Sequence, residues 1–379
     1  MPPVLATARP ALVPFAAMGI LWGSFAAVLP DVKAGLGINE AQLGLLLLGA
    51  PVAAVLAMLA APVVAAAYGR LALPLATLAM AAAFALPGQA GVPLAFGLAM
   101  TAAGAATGSL DVLMNARVAA LENSRGLHLM NLCHAAYSFG YAGGALATGA
   151  MRTAGWSPGE IGAAVGLAVA LAAAAAYERD GRVSGLSRGE AGGGVGMLPV
   201  IGGGIVLIAF LSENAAEQWS ALHIERTLGG SPAEGSAGPA VLALTMGLAR
   251  LAGQGIVARV DPVRLLCGGA VVAAAGALTA AAATSPAMAY AGFVVMGIGS
   301  SVIAPTAFSL VGRLATPQAR ARAVARATLY GYFGYFFGPP MLGFLAAGFG
   351  LRWAFAAAAF ALMAVLVLAP LLGRRARVA

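Results

Sequence analysis

Twelve windows of roughly 20 mostly apolar residues follow one another along this 379-residue chain. They lie near residues 11–30, 41–67, 71–87, 91–119, 130–151, 157–177, 197–220, 237–257, 263–283, 287–311, 322–347 and 351–372. Backbone N–H and C=O groups find no water in hydrocarbon, so each such window must become a helix that satisfies its own hydrogen bonds. The expected fold class is therefore an all-α membrane protein with twelve transmembrane helices. Charged residues make up only 9% of the chain, against about 25% in soluble domains, which excludes an ordinary soluble fold. The formal charge of +8 does not mark a nucleic-acid binder, because the basic residues are spread mostly singly over short loops. Cys133 and Cys267 stand alone in apolar segments without metal or redox spacing, so no metal site is expected. The first apolar run follows only Arg9, lacks a small-residue cleavage site and leads directly into further spans, so no cleavable signal is expected.

Positive charge orients the spans. With both termini placed in the cytoplasm, the inner loops and tails hold 17 of the 21 basic residues, and the outer loops hold Lys33, Arg152, Arg226 and Arg352. A Gly-, Arg- and Ser-rich stretch reads as a flexible linker at 179–196, dividing an N-terminal six-helix half (1–178) from a C-terminal one (197–379). The halves repeat. Phe139-Gly140-Tyr141 with Gly144 returns as Phe333-Gly334-Tyr335 with Gly338, and Leu36-Gly37 before Asn39 returns as Leu228-Gly229 before Ser231. Asn39 and Ser231 are each positioned to cap the next helix. Two parallel six-helix repeats around a central pathway is a transporter architecture, which implies a lipid bilayer and a small-molecule solute as partners.

Within this apolar frame Asp111 is expensive, since a carboxylate at membrane depth costs about 2.5–3.5 kcal/mol on insertion scales. Asn115 and Glu122 fall within about 40° of it on an ideal helix. Asp111 lies about 27 Å from Pro93 at 1.5 Å per residue, toward the cytoplasmic side, where span five also begins. There Asn131, His134, Tyr137, Ser138 and Tyr141 form a stripe about 120° wide. A face that polar is expected to meet water or solute, and Asp111 with His134 forms a candidate proton-handling pair; the rival reading is a structural clasp between packed helices. Sliding the first half onto the second aligns Gly104 with Gly299, Asp111 with Thr306, Asn115 with Leu310 and His134 with Thr328, so the scaffold does not require these polar groups. A second constellation ends span seven: Glu213, Asn214, Glu217, Gln218 and Trp219. Glu213 is the deeper acid and a candidate for proton or solute binding, whereas Glu217 is placed at the solvated outer mouth. Trp219 reads as an interface anchor or a solute contact, and Trp22 as a solute-stacking or packing residue. The aromatic cluster around Gly334 must divide between lipid and cavity, and Gly338-Pro339-Pro340 is expected to break or bend its helix. Arg117 and Arg313 read as gate or headgroup charges, His128 and His223 as loop residues.

The chain resembles the major facilitator superfamily over essentially its whole length, and within it the branch of fucose–proton symporters and related bacterial inner-membrane permeases. The resemblance is carried by Gly108-Ser-Leu-Asp111 with Asn115, Met130-Asn131 with His134, Ser212-Glu213-Asn214 with Trp219, and Gly334 through Gly338-Pro339-Pro340. It implies that Asp111 handles protons and that Asn131 and His134 belong to the substrate cavity. Two features depart from the pattern. The first span has no acid, Ala26 being nearest the expected position, and of the loop motif after span two only Tyr68-Gly69-Arg70 remains.

The reading is a monomeric secondary active transporter of the bacterial inner membrane, not an enzyme, since no phosphate loop, zinc motif or nucleophile elbow occurs. It takes up a sugar-like or other polar solute with protons, needing no cofactor beyond the proton gradient. Asp111, His134 and Glu213 are assigned to coupling; Trp22, Asn115, Asn131, Tyr137, Ser138, Tyr141, Asn214, Glu217 and Trp219 to the solute. Proton-antiport efflux of a drug or metabolite is the alternative, and a non-transporting sensor a remote one.

Overall fold

The computed structural model describes residues 4–125, 127, 129–179, 181, 183, 196–253, 259–316 and 319–375, and the regular elements among them are all helical. His128 and most of the linker stretch (180, 182 and 184–195) lie outside the described residues. The first half comprises α1 (Val4–Leu36), α2 (Glu40–Leu47), α3 (Gly49–Tyr68), α4 (Ala72–Phe84), α5 (Pro93–Arg125), α6 (Met130–Thr153) and α7 (Pro158–Ala173). The second comprises α8 (Leu198–Leu222), α9 (Pro232–Ala252), α10 (Pro262–Ala282), α11 (Pro286–Leu314), α12 (Arg320–Phe349), α13 (Leu351–Met363) and α14 (Val365–Arg375).

Eight helical stretches among the described residues are long and apolar enough to cross a membrane. One, Glu40–Gln89, has 50 residues. Straight, it would measure about 75 Å against a hydrocarbon core of about 30 Å. The chain instead breaks it at Gly69, whose φ of 53° favours glycine. Inside the same stretch α2 stops at Leu47, four residues before Pro51, where the proline ring would meet the Leu47 carbonyl and offers no N–H. The helices α6, α9 and α12 match the others in length but carry more polar groups.

The internal repeat is physical. In the first half α6 lies on α1 through glycines at Gly19, Gly23, Gly140 and Gly144, where any Cβ would collide with backbone of the facing helix. In the second half α12 lies on α8 with Gly334 against the Leu207 carbonyl and Gly338 against the Asn214 side chain. Phe139 and Phe333 both point outward, while Tyr141 and Tyr335 both face the space between the halves. The second repeat is also a shared turn: Gly37 and Gly229 have φ of 63° and 70°. Asn39 with Gln42 and Ser231 with Glu234 then close capping boxes on α2 and α9. Gly23→Val is expected to cost at least the ~1–3 kcal/mol of ordinary overpacking, because the obstruction is the Tyr141 backbone, which has no rotamer to move to. Loss of a monodisperse peak on size exclusion would report it.

Two expectations change. Gly104 packs on α3 at Ala50, whereas Gly299 packs on α10 at Ala273; the glycine of α11 that faces α9 is Gly297, near the Leu242 carbonyl. The pairing therefore shifts by two residues, setting Asp111 against Ala304 and Asn115 against Phe308, and the second copy still lacks the acid. The helix α12 also runs unbroken through Pro339 and Pro340. Neighbouring helices commonly steady prolines in membrane helices, and here α2 lies against them with Gly44 on the Pro339 carbonyl.

The ends of the bundle differ. Arg9 of α1 donates to the carbonyl of Tyr177 just beyond α7 at 3.2 Å. Near the end of α14, Leu372 and Gly373 pack on Gly202 and Val263, at the starts of α8 and α10. The starts of α1, α8 and α10, the Tyr177 backbone and the end of α14 thus share one side, here the terminal end. At the opposite, distal end the halves close on each other. Gly343 sits on the Glu40 carbonyl, and Gly149 sits on Ser236.

Candidate solute cavity

Helix phase explains how the site is assembled. On α8, Phe210, Glu213, Asn214, Glu217 and Gln218 follow the i, i+3, i+4, i+7, i+8 spacing of a single face. On α12, Thr328, Tyr332, Tyr335 and Pro339 do the same at i, i+4, i+7 and i+11. These faces meet Trp22 of α1, Asp111 and Asn115 of α5, His134, Tyr137, Ser138 and Tyr141 of α6, and Met246 and Arg250 of α9. Together they enclose about 760 Å³ between the halves, within the ~300–1,000 Å³ usual for small-molecule sites.

Asp111 is held on two sides. The Asn115 side-chain amide donates to its Oδ1 at 3.1 Å, and the Tyr332 hydroxyl donates to its Oδ2 at 3.4 Å. Tyr332 belongs to the other half, so this one carboxylate bridges both. His134 shares the cavity but is not a hydrogen-bond partner of Asp111; its ring stands edge-on to Phe15 at 5.0 Å. The hydrogen-bonded group around Asp111 is therefore Asn115–Asp111–Tyr332, with His134 elsewhere in the same cavity.

On the facing wall Glu213 and Asn214 are almost wholly buried. Glu213 Oε1, Asn214 Oδ1, Gln218 Oε1 and Arg250 Nε have no protein hydrogen-bond partner. A buried polar group left unmatched costs about 1–3 kcal/mol, and on the cavity wall such groups are open to water or solute. Glu217 lies within the cavity, under the closed distal end, and not at a solvated mouth. The Tyr141 hydroxyl donates to its backbone carbonyl at 3.3 Å. The aromatic walls are Tyr137 with Tyr141, 6.1 Å apart, and Phe210 stacked on Tyr335 at 4.6 Å.

Several sequence-derived candidates stand elsewhere. Asn131, in the first turn of α6, is exposed and outside the cavity lining. Trp219 is fully buried, half a turn of α8 from Phe210 on the ideal 100° per residue, so it is core and neither interface anchor nor cavity wall. Glu122 accepts the backbone N–H of Met130 at 2.8 Å and caps α6 instead of joining Asp111. His223 is buried, with Nε2 3.0 Å from the Ala280 carbonyl, and is no loop residue. Arg117 pairs with Glu178. Phe333 and Phe337 are exposed, which places Tyr332 and Tyr335 as the cavity members of the α12 aromatic cluster. Asn131→Ala is accordingly expected to leave solute affinity within about twofold, under 0.5 kcal/mol, measured by the concentration dependence of uptake.

Arg152 is the residue most misjudged from sequence. Its position in the sequence reads as an outer-loop charge, yet its side chain is 1% exposed and saturates its donors at the distal end. Nε and Nη2 each donate to Asp31 at 2.6 Å, a bidentate pair within the first half. Nη1 and Nη2 reach Glu225 of the second half at 2.6 and 3.0 Å, and Nη1 also reaches the Ser236 hydroxyl at 3.3 Å. One guanidinium thus ties the halves together and closes the cavity on that side.

A cavity walled by both halves, shut at one end by an ion-pair lock, defines the class: a two-lobed multi-pass membrane transporter. The model of the Major Facilitator Superfamily matches residues 203–378. An uncharacterised MFS-type transporter of Yersinia pestis is 32% identical over 356 residues, covering 92% of this chain and 91% of that protein. The chain belongs to the major facilitator superfamily. In fold it is similar to the nucleoside transporter NupG (TM-score 0.75, 13% identity, 98% of each chain). It is likewise similar to a D-xylose–proton symporter (TM-score 0.68, 14% identity, 96% of each).

Proposed function

We propose that this protein is a proton-coupled transporter that takes up a small polar organic solute across the bacterial inner membrane. Twelve crossings, with both chain ends in the cytoplasm, place the distal lock on the outer side and make this an inward-facing state. The single observation that carries the coupling is Asp111, the cavity carboxylate hydrogen-bonded across both halves. Gain or loss of a proton there changes what Tyr332 can donate to, and so links protonation to how the halves meet. His134 and Glu213 are further proton-exchanging groups in the same space. The solute is assigned to Trp22, Asn115, Tyr137, Ser138, Tyr141, Asn214 and Glu217. Two fold neighbours, a nucleoside transporter and a D-xylose–proton symporter, agree with a polar cargo.

Proton-antiport efflux is the second reading, favoured by the aromatic walls of Phe210, Tyr137, Tyr141, Tyr332 and Tyr335. Proteoliposomes under an imposed pH gradient separate the two. A symporter moves solute in the direction of proton flow and an antiporter against it, and flux indifferent to the gradient would remove the coupling altogether.

A further inference from the structure

We infer that the transported solute carries a positively charged amine, seated with its N–H donors toward Glu213 and Glu217 and its carbon skeleton against Tyr137, Tyr141 and Tyr335. The inference rests on the reading of the cavity as a solute site and narrows what that site accepts.

Charge comes first. Asp111, Glu213 and Glu217 line the cavity, and Arg250 is the only Arg or Lys among its described lining residues. Arg250 does not neutralise the glutamates by contact. No ion pair joins it to either of them among the described residues. Arg250 is close enough for its charge to be felt by Glu213 and Glu217 without touching either, one cation against three acids. Asp111 already accepts from Asn115 and Tyr332. The acidic pair on α8 is left to the ligand.

The hydrogen-bond inventory points the same way. Three unpartnered cavity atoms on α8 are oxygens: Glu213 Oε1, Asn214 Oδ1 and Gln218 Oε1. The two amides can turn to offer N–H instead, but a carboxylate cannot when ionised, so Glu213 and Glu217 make this face acceptor-rich in their ionised form. A protonated amine brings up to three donors and no acceptor. An anionic solute meets repulsion there. The walls add the aromatic rings of Tyr137, Tyr141, Tyr335 and Phe210, a side-chain class that attracts cations lying over a ring face within about 6 Å of its centre.

The test uses purified full-length protein and matched probes of equal shape: phenethylamine against its neutral carbon isostere propylbenzene, and tyramine against propylphenol. Binding is read by thermal shift and tryptophan fluorescence. The charged member of each pair should bind at least about tenfold more tightly, and Glu217→Gln or Glu213→Gln should erase that preference while the protein stays monodisperse. Equal binding within the pairs, no binding of either ammonium probe, or a preference that survives in both variants would overturn the proposal. The matched-pair comparison in the unmodified protein stands even where a variant fails to fold. Failure of the transport reading looks different: tyramine that binds with charge preference but shows no counterflow in proteoliposomes supports the amine site and removes the transporter. Gradient-driven flux of a neutral sugar with inert amines does the reverse.

Discussion

Proteoliposomes carrying Asp111→Asn are expected to lose proton-driven accumulation of solute while retaining solute counterflow. Asparagine preserves the volume at the site; its Oδ1 can accept from Asn115 while its Nδ2 donates to the Tyr332 hydroxyl oxygen, so the Asn115–Asp111–Tyr332 arrangement keeps its shape. What it cannot do is bind and release a proton. A gradient of one pH unit stores about 1.4 kcal/mol per proton, enough for about tenfold accumulation. The variant should forfeit that tenfold, whereas counterflow needs no net proton movement and should persist. Accumulation as steep as in the unmodified protein, with the same pH dependence, would remove Asp111 from the coupling. Tyr332→Phe should act in the same direction but more weakly, since the carboxylate keeps its Asn115 partner.

The second large effect belongs to Arg152. Its removal strands Glu225 at the closed distal end, where breaking a buried pair from one side typically costs about 3–5 kcal/mol, whereas Asp31, 37% exposed, can turn to water. Part of that cost falls on the closed conformation alone, because Glu225 belongs to the other half. Glu225→Gln isolates this part: it weakens the link between the halves and leaves the bidentate Arg152–Asp31 pair intact. Each 1.4 kcal/mol lost from the closed state raises the distal-open population about tenfold. Spin labels on the distal ends of α6 and α9 should therefore show longer separations in Arg152→Ala and, less strongly, in Glu225→Gln. Asp31→Asn, acting within one half, should shift them least. An unchanged distance distribution in Arg152→Ala would show that the packed glycine contacts of α2 on α12 and α6 on α9 hold the end shut without the lock.

Much of the site was legible because helical phase survives folding. The polar stripe on α6 and the acids on α8 lie on the cavity as their spacing requires. The same arithmetic applied to α12 selects Tyr332 and Tyr335 from the aromatic cluster once Thr328 and Pro339 are taken as the reference face. Asn131 and Trp219 failed for opposite reasons. Asn131 shares the angular stripe but sits in the first turn, outside the walled depth. Trp219 has the right depth on the opposite face.

Arg152 shows the limit more sharply. From sequence it is one basic residue near a loop, indistinguishable from Arg226 or Arg352, and its meaning comes from Asp31 and Glu225, 121 and 73 residues away. By itself, the order of residues determined the membrane class, the duplicated halves, the capping turns and the presence of an acid in one copy only. All of these follow from hydropathy, local backbone preference and repetition, which are properties of short stretches. Only the tertiary structure decided that Asp111 meets Tyr332 and not His134, that Glu217 is enclosed, and that Arg152 locks the distal end. Those outcomes depend on which helix faces which, and in a bilayer, where lipid offers no hydrophobic drive for helices to associate, that choice is set by close backbone packing at glycines such as Gly23 and Gly144.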